Sequence, residues 1–338
     1  MANFFPAQAR VSPSFAEPEL ILTYAQPSGA FGLLQGGNPR VKLGTEDLYV
    51  YINSLDLRTE SQTSQAAANY LPSSTLVGSY NSTAAYLIRT RSDWGRHDIA
   101  AAGQYGVSLI TAQEFAGRQA IAQQMRSMLL YGFNPANAEG LLNSANATSV
   151  TLPPDPLGNT RLTTYDNGAM TLFLLGEIIA IKTAMYQAGI KNTIRFCGPQ
   201  RIILALQMQM IIQVTSYQRP GAGTSTTAQA VNEVMREAGD TVEWAVDDTL
   251  IGKGVGGADM LILTIPEIET PDIGGINTAA FNNLQPSMKA VNVMYADMAA
   301  PTKIPSPIPE GITEVLELRC TSGWNLRGQG LALISMPY

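Results

Sequence analysis

Four groups of residues in this chain have types and spacing that could do chemistry. The run Gly252-Lys253-Gly254-Val255-Gly256-Gly257 matches GxGxxG, a pattern that holds a pyrophosphate when a strand precedes it and a helix opens on it. Here an apolar, β-type run, Met260 to Ile265, follows instead, and Asp247 stands where the first glycine of a P-loop would fall. The run therefore reads as a flexible glycine loop. His97 is the one histidine of the chain, which removes any multi-histidine metal site, and a dyad with Cys197 or Cys320 has no sequence support. Asp240, Glu243, Asp247 and Asp248 are acidic neighbours without the one-three-five oxygen spacing or central glycine of a calcium loop. Asn81-Ser82-Thr83 and Asn146-Ala147-Thr148 match glycosylation acceptors, which matter only in a secreted chain. The reading is no enzyme, no cofactor and no metal.

Composition points the same way. Of 338 residues only 14% are charged, against about 25% in an ordinary soluble domain, so much of the surface is expected to lie in subunit contacts. The net charge of -6 excludes the basic footprint that grips nucleic acid by counterion release. The two cysteines are far apart and lack CxxC spacing, which favours free thiols. The N-terminus lacks the charged lead and apolar run of a signal peptide. Gln207, Gln209 and Gln213 interrupt the longest apolar run, Ile202 to Gln218, as a bilayer span. A soluble intracellular product with no membrane partner is expected.

The elements that must position these residues follow from pattern. Residues 1 to 40 carry Pro6, Pro13, Pro18, Pro27 and Pro39 among several glycines, so they read as an extended arm held by a neighbouring subunit. Leu48, Val50 and Ile52 alternate with Tyr49, Tyr51 and Asn53 as in a strand. Two extended runs, Ala84 to Arg91 and His97 to Val107, flank Asp93-Trp94-Gly95-Arg96, and the glycine suggests a hairpin turn bearing Arg89, Arg91 and Arg96.

The longest element is a helix from Thr111 to Gly132. Thr111 and Glu114 have the spacing of a capping box, and Phe115, Ile121, Ala122, Met125, Met128 and Leu129 form one apolar stripe. Asp166 or Asn167 then caps a helix that is apolar nearly all round and so expected to be buried on every side. Short strands alternate with helices to Ile265. The chain closes with Ala290 to Tyr295, a proline-spaced extended link at Pro301, Pro305, Pro307 and Pro309, then strands at Val315 to Cys320 and Gly330 to Ser335.

This order of parts, with Gly140-Leu141-Leu142-Asn143 just after the long helix, resembles the major capsid protein of tailed bacteriophages. That fold is the Hong Kong 97-like one, shared with encapsulin shells, and the GLLN turn resembles the branch of capsid-like coat proteins that carries it. The resemblance implies an α+β fold with an N-terminal arm (1–45), a P-domain strand and lead-in (46–81) and an E-loop hairpin (82–105). It further implies a P-domain with its spine helix at 111–132 (106–165), an α/β A-domain (166–287) and terminal P-domain strands (288–338). A structural subunit follows, forming pentamers and hexamers of an icosahedral virion shell around double-stranded DNA. Assembly takes place in the host bacterial cytoplasm, with portal, scaffolding and cement proteins as further partners. No long charged leader precedes the arm, so a fused scaffold is not expected. An encapsulin-like compartment is the alternative, and a soluble α/β enzyme a more distant one.

Two sets of residues carry expected roles. Arg89, Arg91 and Arg96, with Trp94 as a packed anchor, are expected to contact an adjacent subunit, because they form the most basic patch of an acidic chain. Asp247, Asp248, Gly252, Lys253, Gly254, Gly256 and Gly257 are placed by the resemblance in an axis-facing loop of the A-domain.

Overall fold

The computed structural model describes residues 30–33, 41–58, 75–104, 108–145, 147–185, 187–208, 225–269, 289–298, 300–326 and 328–338. The arm residues 1–29 and 34–40 and the glycosylation-type Asn146 lie outside the described residues. The elements are β1 (Val41–Lys42), β2 (Tyr49–Arg58), β3 (Thr75–Gly95), α1 (Arg96–Gln104), α2 (Leu109–Tyr131), β4 (Thr148–Thr151), α3 (Asn167–Ala184), β5 (Thr193–Gly198), α4 (Gln200–Met208), α5 (Thr227–Glu237), β6 (Thr241–Val246) and β7 (Asp259–Thr264). After these come β8 (Glu267–Glu269), β9 (Lys289–Val291), β10 (Val293–Met294), β11 (Ala296–Asp297), β12 (Thr302–Ile308), β13 (Gly311–Thr321), β14 (Trp324–Asn325) and β15 (Leu331–Met336).

A five-stranded mixed sheet, ordered β4-β15-β7-β5-β6, organises one half of the protein. Its central strands are buried along their whole length because both faces are covered, which is why they read as unbroken apolar runs. Ile194, Phe196, Leu261, Leu263 and Ile334 face Leu174 and Ile178 of α3, Leu206 of α4 and Val231 of α5. The alternate residues Cys197, Ile262 and Leu333 face Leu129 and Leu130 at the end of α2 and Leu33 of the short turn Ala30–Leu33. That turn is itself anchored: Phe31 meets the Tyr295 ring edge-on at 5.8 Å.

Asp166 caps α3, accepting from the Ala169 N–H at 2.7 Å. The expected burial on every side is corrected, since Leu172 is 73% and Ile179 60% exposed. The helix has the apolarity of a membrane span, yet it uses one face against the sheet and leaves the other open. Lys182 is drawn inward to Asp240 (2.6 Å) and to the Ile190 carbonyl (2.9 Å), while the other Asp240 oxygen accepts from the Asn192 N–H.

The second sheet is antiparallel but for the short β1–β11 pair, and it is built on the 21-residue β3. Its first half pairs with β2 and its second with β13, and β12 adds to the far side of β13. The hairpin expected about Asp93–Arg96 does not form. The strand runs through Gly95, which pairs with Gly311, and the chain then enters α1, with the Asp98 carboxylate accepting from the Gly95 N–H. The hairpin arm is β2–β3 instead; residues 59–74 between its strands lie outside the described residues.

Helix α2 crosses this sheet. Gly117 is the point of closest approach: a Cβ there would stand 2.7 Å from Leu316 Cδ1. Ile121, Leu316 and Leu318 fill the contact beside it. The helix begins at Leu109, two residues before the expected start, and the Thr111–Glu114 capping box is not made. Thr111 shares a hydrogen bond with Ser108, and Glu114 pairs with Arg118 and with Lys303 of β12. Of the expected stripe, Ile121, Met128 and Leu129 are buried, whereas Phe115 is half exposed.

The GLLN turn has a physical explanation. Gly132 ends α2 at φ 73° and Gly140 returns at φ 87°, and each would drive a Cβ into backbone atoms of the other's segment. Leu141 is fully buried, and Asn143 Nδ2 donates to the Tyr131 carbonyl (2.6 Å), satisfying a C-terminal acceptor of α2. The Glu139 carboxylate accepts from the Tyr86 hydroxyl (2.8 Å), the Asn134 N–H and Ser322 Oγ. Burial, then this carboxylate, push the Tyr86 phenol up to about 12.

Candidate assembly surfaces

Strand alternation puts Tyr49 and Tyr51 of β2 on one face of the arm, with Tyr80 of β3 diagonal to Tyr51. Tyr51 meets Tyr80 edge-on at 6.0 Å and Tyr49 at 6.3 Å. The three rings are 58%, 61% and 69% exposed. Three adjoining tyrosines held in the open by a sheet are the amphipathic, low-entropy anchors that protein contacts favour. The period-two signal marked the first of the two strands; the second was hidden in a polar run, Ser79 to Thr83.

The basic patch is real but partly engaged. Arg89 lies directly across from Glu317 and donates to it at 2.9 Å. Arg91 donates to Asp93 at 2.8 Å, and Thr313 Oγ1 donates to the same Asp93 oxygen at 2.7 Å. The Arg91 hydrogen bond, then that from Thr313, hold the Asp93 carboxyl below its usual range. Both arginines remain 64% exposed in their side chains, so donors are left over for another chain. Trp94 points into its own chain, only 4% exposed and packed with Leu109. The packing expected of Trp94 as an anchor is met within its own chain, by Leu109. Arg96 is exposed at the start of α1, its N–H on the Glu310 carbonyl.

The glycine loop lies at the end of the five-stranded sheet, beside the C-terminal turn of α2. Asp247 is buried and accepts from the N–H and Oγ1 of Thr249, while the Asp248 carboxylate receives the Gln200 N–H at the start of α4. Tyr131 donates its hydroxyl to the Thr249 carbonyl, and Lys253 stands over the Tyr131 ring at 5.5 Å. The Gly252 N–H donates to Asp259, the Gly254 N–H to the Ala258 carbonyl, and Val255 N–H to Ser335 Oγ. Gly252, Gly256 and Gly257 adopt φ of 68°, 68° and 80°, values that favour glycine. The expected flexible loop is therefore a tied one, and β7 follows it directly, without the helix a dinucleotide site needs.

Two polar constructions went unnoticed in the sequence. Arg201 forks onto both oxygens of buried Asp259 and stacks on the Tyr338 ring at 4.9 Å. Asp155 accepts from the Leu157, Asn159 and Asp166 N–H groups and from Asn159 Nδ2, holding Leu157 outward at 82% exposure. Among the described residues no group of three His, Cys, Asp or Glu converges on a metal-sized site. Both cysteines are buried, and burial pushes both thiols up, that of Cys320 to about 12.

No protein-family model and no curated protein matches the chain. Solved structures do. The capsid of Myoviridae phage XM1 superposes with a TM-score of 0.66 at 11% identity, covering 96% of this chain and 97% of that one. A chain of Mycobacterium phage Bobi gives 0.58 at 12% identity, with 98% and 97% covered. The capsid of the native GTA particle computed with C5 symmetry gives 0.55 at 10% identity, with 97% and 96% covered. With at least 96% of this chain and of each of those chains covered, the chain has the fold of tailed-phage capsid proteins, the Hong Kong 97-like fold.

Proposed function

We propose that this chain is the major capsid protein of a tailed phage, a non-enzymatic subunit that assembles with copies of itself into pentamers and hexamers of an icosahedral shell around double-stranded DNA. The observation that carries this reading is the two-way, nearly complete coverage by capsid chains of a phage and of the GTA particle. The open surfaces support it. The tyrosine face of the arm and the Leu172–Ile179 face of α3 are apolar areas that a single chain leaves uncovered, and area of this kind is buried only in an assembly.

In this reading residues 1–45 form the N-terminal arm and β2–β3 the E-loop, which moves that element from 82–105 to the hairpin opening at Tyr49. Helix α2 is the spine, residues 166–287 form the A-domain, and 288–338 return to the P-domain. The loop at Asp247–Gly257 serves as a hinge block between A-domain and spine, given its bonds to Tyr131 and Asp259. The acidic chain contains DNA without reading its sequence. Portal, scaffolding and cement proteins are its further partners, and assembly takes place in the bacterial cytoplasm.

Electron microscopy of the purified protein tests this. Closed particles of uniform size are expected; a compact monomer that never closes under any assembly condition overturns it.

A further inference from the structure

The β12–β13–β3 sheet has two long edges, and the sequence treats them differently. Along β12 the residues that bond to β13 are the even-numbered ones, so Pro305 and Pro307 fall on the outward side and remove two of its three outward N–H donors. The edge of β3 has no such guard. The Arg96 N–H bonds to the Glu310 carbonyl, which turns even-numbered residues toward β13; the Ala85 N–H bonds to the Leu48 carbonyl, which turns odd-numbered ones toward β2. Pairing with β2 stops at Tyr49. The backbone N–H and C=O groups of Leu87, Arg89, Arg91 and Asp93 therefore face a side on which no strand lies among the described residues.

A groove runs under this open edge. It measures about 440 Å³ and lies between β3 and α2, with Tyr86, Ile88 and Thr90 on one side and Ile121, Gln124 and Phe133 on the other. An unpaired strand edge beside an apolar, helix-walled trough is the geometry that takes up an extended peptide: backbone bonds give affinity and alternate side chains fill the trough.

We propose that this groove receives residues Glu19–Gln26 of a second copy of the chain as an added strand, a contact that rests on the shell reading above. Those residues lie outside the described residues, and their sequence fits the site. Eight residues without proline or glycine stand between Pro18 and Pro27, and Leu20, Leu22 and Tyr24 alternate with Ile21, Thr23 and Ala25. Extended, they span roughly 27 Å, enough to cover Leu87 to Asp93. Charge complements charge: Glu17 and Glu19 are the only ionisable acids or bases between Arg10 and Arg40 apart from Tyr24, and Arg89 and Arg91 are the exposed cations of the edge.

The test is a cross-link in assembled particles of the full chain. Leu22→Cys is combined with Arg91→Cys and treated with a short bis-maleimide, the native Cys197 and Cys320 being buried. A ladder of chain-to-chain products on a denaturing gel is expected. Particles that yield no product, or only a product within one chain, overturn the added strand and leave the shell reading standing. A parent chain, without the two substitutions, that forms no particles overturns the shell reading itself. In the same background Arg89→Pro deletes an N–H that the chain's own β3–β13 ladder does not use; the ladder of products should be lost while circular dichroism of the subunit is unchanged. Cross-linking undiminished in that variant also overturns the proposal.

Discussion

Gly140 lies against the backbone of Gly132, closing the nine-residue elbow by which the chain leaves α2. Neither position tolerates a Cβ, since both have positive φ and both face backbone, which cannot move aside as a flexible side chain could.

Gly140→Ala is accordingly expected to cost more than about 2 kcal/mol through strain and collision together. Thermal unfolding of the unassembled subunit would show it. Gly256→Ala is the control: it has a similar φ of 68° but open space around it, so only the strain component should appear.

Lys182 and Asp240 form a buried pair whose remaining polar groups are also bonded. Replacing Asp240 by Ala should destabilise by about 3–5 kcal/mol, because an ammonium is then left unpaired in the core. The double change Lys182→Met with Asp240→Leu should recover most of that loss, as chemical denaturation can establish.

Asp297 is buried between β1 and β13, opposite Lys42 on one side and Cys320 on the other, with the Tyr295 phenol donating to its carboxylate. Burial outweighs that hydrogen bond and raises its carboxyl from 3.8 to about 6. A carboxyl whose folded pKa lies above its unfolded value favours the protonated native state. Stability from this group is therefore present at and below pH 3.8 and is lost as pH rises through 6, by roughly 3 kcal/mol. Asp297→Asn keeps an acceptor for Tyr295 and removes the titration. Its melting temperature should exceed that of the parent at pH 7.5, with the gap closing as pH falls below 5.

The tyrosine face can be separated from folding. Tyr51→Ser with Tyr80→Ser removes exposed rings, so the subunit should unfold within about 0.5 kcal/mol of the parent. Particle yield by sedimentation should nevertheless collapse. Normal yield would show that the arm contributes no contact through this face.

What could be read in the sequence depended on whether a signal was local. The end of α2 at Gly132, the Asp166 cap and the buried strands around Phe196, Ile262 and Ile334 were legible because glycine, a capping carboxylate and apolar runs act over a few residues. The start of α2 was misplaced because Glu114 serves Lys303, distant in sequence, and not its own helix turn. The Gly95 turn was misread because a glycine at a strand end, here facing Gly311, looks the same as one in a hairpin. Residues 302–308 were taken for a proline-spaced link because which side of an edge strand a proline faces is set by register, and register is a tertiary property. The surface residues followed suit: charge revealed Arg89 and Arg91, but the burial of Trp94 depends on Leu109 arriving from the next helix.

The sheet order has an implication for synthesis. Strand β15 sits between β4 and β7, and β4 has no other strand partner among the described residues. A nascent chain that stops before Leu331 thus leaves a gap between β4 and β7, with two raw strand edges and no continuous hydrophobic layer for helices α3 to α5. Translation imposes a check of its own: a chain terminated before Leu331 cannot close this half of the fold, which waits for β15 to leave the ribosome.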